Sequence, residues 1–127
     1  MKAFDKIFVN LSNHPSHLWV KEQREAAGEN IIDFPFPNID PRATRLDIGL
    51  MAINTYNAIM KEVGNGYVSD NITILVQGEM GFVYQMVEYL HLQGIMRVVH
   101  ATSERLSEVM PSGDKLVTFK FIQFRLY

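Results

Sequence analysis

Residues 72–76, ITILV, hold one threonine and otherwise only large apolar side chains. A strand with water on one face alternates apolar and polar residues. A nearly unbroken apolar run therefore predicts a strand covered on both faces, as in the middle of a parallel sheet. Parallel neighbours cannot be joined by hairpins; they need crossovers, usually helical. The run stops at Gln77-Gly78-Glu79, and a helical period starts at once. Phe82, Val83, Met86, Val87 and Leu90 line one side of a helix expected from Met80 to Gln93, with Gly94 as its stop. Strand and helix thus meet at a tight corner.

The same alternation extends in both directions. KIFVNL (6–11) reads as a first strand, followed by a Ser12-Asn13-His14-Pro15 loop. Ser16 is placed to cap a helix from His17 to Ala27, with Trp19, Gln23 and Ala26 on one face and Gly28 as terminator. IIDFPF (31–36) reads as a short strand broken by prolines. Asp40-Pro41 supplies an N-cap and a proline at the first helical position. The helix that follows runs to Val63, with Ile48, Met51, Thr55, Ile59 and Val63 as its buried stripe and Gly64-Asn65-Gly66 at its end. IMRVVHA (95–101) is the fourth strand. Residues 104–110 and 115–124 form a hairpin around Pro111-Ser112-Gly113-Asp114. The apolar face of its second strand switches between Phe121 and Ile122, which implies either a β-bulge or a strand apolar on both sides. The fold class is α/β, with a largely parallel sheet and a C-terminal β-hairpin.

At 127 residues the chain is most simply one domain, residues 1–127. It has no cysteine, which excludes disulfides, thiol catalysis and thiolate metal sites. No run is long enough to span a bilayer, and the N-terminus lacks export character, so no membrane is expected and a cytoplasmic location is. A net charge of −2 argues against a broad grip on duplex nucleic acid and leaves room for a small anion.

In open α/β sheets ligands bind beyond the C-terminal strand ends, where the strand order reverses. With the first strand central, the loops that converge there carry Ser12, Asn13 and His14; Gln77, Gly78, Glu79, Met80 and Gly81; and Thr102, Ser103, Glu104 and Arg105. The glycines allow close backbone approach, and the first turn of the third helix offers amide donors to a phosphate. Glu79 either caps its own helix or handles a ligand proton. His14 is either an acid–base group or a loop histidine whose ring holds the turn. Arg105 either clamps phosphate or pairs with Glu104 or Glu108. Gly78 is either a ligand contact at positive φ or simply a corner. His14 and His17 lack a third partner at ligand spacing, so no metal is expected. No cofactor is implied, since G-x-G-x-x-G, P-loop and G-x-S-x-G patterns are absent.

NHP (13–15), VQGEMGFVY (76–84), ATSER (101–105) and FKFIQFRLY (119–127) together resemble small CRISPR-associated accessory proteins of type III systems. The resemblance spans the chain and departs at Pro111 and Leu126, leaving Arg125 without an assigned role. It implies a Rossmann-like fold, a cyclic oligoadenylate ligand (cyclic tetra-adenylate first), and a homodimer that matches the two-fold ligand. It also implies either a metal-independent ring nuclease, with His14, Glu79 and Arg105 as catalytic candidates, or a sponge that holds the ring intact. A third reading is an unrelated nucleotide-binding or protein-interaction domain of the flavodoxin-like class.

Overall fold

A computed structural model describes residues 6–64 and 70–127. Its elements are β1 (Ile7–Ser12), a single 3₁₀ turn (Ser16–Leu18), α1 (Lys21–Ala27), β2 (Ile31–Pro35), α2 (Arg45–Val63), β3 (Ile72–Gln77), α3 (Met80–Leu92), β4 (Val98–Val109) and β5 (Lys115–Leu126). The five strands form one mixed sheet in the order β2-β1-β3-β4-β5. The pairs β1/β2, β1/β3 and β3/β4 are parallel, and β4/β5 is antiparallel.

Strand order and handedness together decide where the helices lie. The chain leaves β1 toward β2, then returns past β1 to β3 and on to β4. Right-handed crossovers therefore put α1 on one face and α2 and α3 on the other. The core divides accordingly. Ile7, Val9, Leu11, Ile72, Ile74, Val76 and Val98 meet Ile48, Ala52 and Ile59 of α2 and Phe82, Met86 and Leu90 of α3. Phe8, Leu75 and Val99 point the other way, to Trp19, Ala27 and Phe124. All of β1 is buried, and in β3 Thr73 and Gln77 alone are not. The two-sided burial read from ITILV is present, and it applies to β1 as well.

Several boundaries differ from the sequence reading, each for a physical reason. The first helix is shorter than His17–Ala27. Trp19 is extended (φ −71°, ψ 150°) and Val20 caps α1, because the indole turns inward to pack on Phe8 and Phe124. Ser16 caps nothing; its hydroxyl and amide are taken by Asp33. Asp40 forms a turn ahead of α2, and the actual cap is Thr44. Its hydroxyl accepts from the Asp47 amide while the Asp47 carboxylate accepts from the Thr44 amide. Gly64 ends α2 at φ +71°, while Asn65 and Gly66 lie outside the described residues. His91 on α3 is half-buried, and its Nε2 has no hydrogen-bond partner among the described residues.

The largest difference is in β4. It runs unbroken through 102–105, so Thr102, Ser103 and Arg105 are strand residues and not a loop. Beyond Val99 it has no register partner in β3 and pairs with β5 alone. Residues 103–109 and 115–121 thus form a two-stranded ribbon beyond the C-terminal edge of the parallel strands. The face switch does come from a bulge: Thr102 opposes Gln123 while Ser103 opposes Phe121, leaving Ile122 as the extra residue.

Candidate functional site

Beyond β1 the chain is held by a polar hub on the α1 face. Asn10 is buried at 1% exposure, so its amide needs partners within the protein. Its Nδ2 donates to the His14 carbonyl at 2.9 Å and to Asp33 Oδ1 at 2.8 Å, and its Oδ1 accepts from Ser12 Oγ at 2.7 Å. The His14 amide donates to Ser12 Oγ, and Trp19 Nε1 donates to the His14 carbonyl. Asp33 also accepts from the Ser16 amide and hydroxyl. Partial loss of solvent pushes the Asp33 carboxyl up, but the bonds from Asn10 and Ser16 outweigh it and hold the group below its usual range. The turn is therefore held by the backbone of His14. The imidazole is exposed and makes no hydrogen bond among the described residues.

Ser12 and Gln77 are register partners, so the ends of β1 and β3 stand side by side where the strand order reverses. Gln77 Oε1 accepts from the Ala101 amide at 3.0 Å and ties the end of β3 to β4. Next to it lies a cluster that the sequence reading left unassigned. His100 and Arg125 are cross-strand partners, and Arg125 Nε donates to His100 Nε2 at 3.3 Å. The Tyr127 ring lies 4.8 Å from the His100 ring, and its hydroxyl donates to the Val76 carbonyl at 2.6 Å. Burial and then the Arg125 charge push His100 below its ordinary value, so it accepts as a neutral ring. Burial raises the Tyr127 phenol. Arg125 forms no salt bridge among the described residues, which leaves the rest of its guanidinium free. The alternation of Gln123, Arg125 and Tyr127 along a strand was the available sequence signal, since it put Arg125 and Tyr127 on one face.

The corner between β3 and α3 is more self-contained than the glycines suggest. Gly78 does not have positive φ. A Cβ there would come within 2.8 Å of ring carbons of Phe36, which also packs edge-on against Phe82 at 5.1 Å. Gly78 is glycine because an aromatic ring covers it. Glu79 is the N-cap of α3, and its Oε1 accepts from the Phe82 amide at 2.9 Å. A Cβ on Gly81 would stand 3.1 Å from that oxygen, so Gly81 makes room for the cap. Of the readings left open, the structure supports self-capping by Glu79 and a corner role for Gly78. One amide of the helix N-terminus is already occupied by a carboxylate.

The expected site residues thus fall into groups. Ser12 stands beside Gln77 at the C-terminal edge, with Asn13 and His14 following it in the chain and Gly78 following Gln77. Glu79, Met80 and Gly81 line one end of a groove of about 1050 Å³ along α2 and α3. Thr102 sits at the root of the ribbon, its hydroxyl donating to the Gln123 carbonyl. Arg105 is opposite Phe119, four residues beyond Ala101, or roughly 13 Å along the strand. It forms no ion pair with Glu104 or Glu108 among the described residues. A second cavity, about 970 Å³, lies on the α1 face between Lys6, Arg97 and Phe124 and holds none of the expected residues. Among the described residues no group of three or more His, Cys, Asp or Glu could hold a metal ion, and no helix is long and apolar enough to cross a membrane.

No curated protein and no solved structure matches the chain. A family model described as "Uncharacterized protein MJ1673 family" matches residues 6–125, nearly the whole chain, and the protein belongs to that family.

Proposed function

We propose that the protein binds a cyclic oligoadenylate, with cyclic tetra-adenylate the first ring to test, at the C-terminal edge of a Rossmann-like domain in type III CRISPR signalling. The observation that supports this most is Arg125, a cation without an ion pair among the described residues and steadied by neutral His100 beside Gln77 and Tyr127. An arginine fixed through Nε keeps its two terminal nitrogens for a phosphate. The ligand is a small polyanion with bases to stack, which suits a chain of net charge −2. Its two-fold symmetry suits a homodimer, and such a messenger places the protein in the cytoplasm.

Ring opening needs no metal or cofactor. A ribose 2′-oxygen attacks the adjacent phosphorus as its proton passes to a base. The P–O5′ bond breaks, the 5′-oxygen takes up a proton, and a 2′,3′-cyclic phosphate remains. Arg125 stabilises the charge that develops on the non-bridging phosphate oxygens. The His14 imidazole, exposed and without a hydrogen bond among the described residues, is a group placed to move the proton. A second reading, binding without cleavage, draws support from Glu79: its carboxylate is engaged as a helix cap and is poorly placed to serve as a base.

Incubation with cyclic tetra-adenylate in EDTA tests both. Linear product that disappears in His14→Ala supports the nuclease. Tight binding of intact ring supports the sponge. Neither binding nor product overturns the proposal. Arg125→Ala is expected to weaken binding about tenfold or more, the loss of a charge-assisted bond, and more than Arg105→Ala does.

A further inference from the structure

We infer that the outer face of α2 and α3 is where two copies of this chain join, with α2 of each laid on α3 of the other. This names the interface of the homodimer proposed above, and it rests on that reading but not on the ligand.

Both helices bury one side in the core and present a second apolar stripe to solvent. On α2 this is Leu46, Leu50 and Ile53, at spacings of four and three. On α3 it is Met80, Tyr84 and Leu92, at spacings of four and eight. These spacings keep each set on one side of its helix. The side chains are far from grazing the surface: Met80 is 84% exposed, Leu92 78%, Leu46 73% and Tyr84 70%. Scattered apolar residues on a surface are ordinary, but a contiguous set from two adjacent helices marks an interaction site. Between the stripes runs the groove of about 1050 Å³, and small residues such as Gly49 and Ala52 contribute to its lining. Gly49 is small for a reason. Gln85 passes over it to donate Nε2 to the Arg45 carbonyl at 2.9 Å, and a Cβ on Gly49 would stand 2.9 Å from Gln85 Oε1. This hydrogen bond ties the two helices to each other beside the patch.

Charge selects a second copy as the occupant. Arg45 borders the patch on α2 and Glu88 interrupts the stripe on α3. Neither has an ion pair among the described residues. Asp47, the acid nearest Arg45 in sequence, is turned into its own capping box. The patch is therefore basic at one helix and acidic at the other, which is self-complementary. A two-fold axis that sets α2 against α3 forms the Arg45–Glu88 contact twice.

The test reads mass without ligand. Wild type is expected to sediment at twice the 14.6 kDa chain mass at micromolar concentration. Leu50→Asp and Tyr84→Asp alter exposed positions and are expected to give monomers with native circular dichroism. Arg45→Glu alone and Glu88→Arg alone each replace two attractions by two repulsions, expected to weaken dimerisation roughly tenfold. An equimolar mixture of those two variants restores both attractions and is expected to dimerise like wild type. A wild-type monomer at about 100 µM overturns the inference, and a monomer at that concentration with cyclic tetra-adenylate present as well overturns the homodimer reading. Dimers that persist in both aspartate variants, or a mixture that stays monomeric, overturn the interface alone. A dimer with these properties that ignores cyclic tetra-adenylate leaves the interface standing and removes the ligand.

Discussion

Asp33 and His100 are the two groups whose protonation reports on the site edge. Asp33 is held as a carboxylate by Asn10 and Ser16, and its folded value lies below its ordinary 3.8. Its contribution to stability is therefore complete above that value and is lost as pH falls through 3.8 and on through the lowered folded value. Asp33→Asn should flatten the fall in melting temperature between about pH 5 and about pH 3; an unchanged acid slope would show that the hub does not depend on the charge. At neutral pH, Asp33→Ala strands the buried Asn10 amide and should cost about 1–3 kcal/mol in denaturant unfolding. His100 has the same sign: its folded value is below 6.5, so the stability tied to its neutral ring is lost as pH falls. Burial is the larger cause and Arg125 the next. Arg125→Gln should move the His100 midpoint part of the way up toward 6.5 in an NMR titration, while Arg105→Ala leaves it in place. Arg105 and Arg125 look alike in a one-dimensional reading. What separates them is that one has an imidazole across the strand pair and the other a phenylalanine.

At the scale of elements, the corner between β3 and α3 is decided by Phe36, which arrives from the end of β2 more than 40 residues earlier in the chain. Gly78→Ala forces that ring away from both Gly78 and Phe82, and about 1–3 kcal/mol of destabilisation is expected from the overpacking. If the ring is the cause, Phe36→Leu should relieve much of it, so the double variant will be more stable than the sum of the single losses. Additive losses would move the cause to the backbone. The ribbon shows why some elements were legible and others not. The pattern 98–101 has a buried side and reads clearly as strand. Residues 103–109, SERLSEV, face solvent on both sides, so no burial pattern marks them as a continuation of the strand, and 102–109 read as a loop followed by a new strand. The bulge at Ile122 was legible because Phe124 must stay on the core face, and the sequence has to shift phase to keep it there. The break before α1 was not legible. A serine cap followed by a helical pattern is a local signal, and the burial of Trp19 overrode it.

For the molecule as a whole, the sequence by itself determined the α/β class, the order of strands and helices up to β4, the two-sided burial of β3, and the glycine stops after α1, α2 and α3. These follow from periods of 2 and 3.6 and from turn chemistry, which act between residues a few positions apart. Only the tertiary structure decided which polar groups meet. His100 reaches Arg125, Tyr127 reaches Val76, Asn10 reaches Asp33 and Gln85 reaches the Arg45 carbonyl, across separations of 23 to 51 residues. The same holds for the second apolar side of α2 and α3. The helical period already picked Ile48 over Leu50 and Phe82 over Tyr84 for the buried stripes. It could not show that Leu46, Leu50, Ile53, Met80, Tyr84 and Leu92 stay uncovered, because the sheet covers only one side of each helix and what lies over the other side is a matter of tertiary packing.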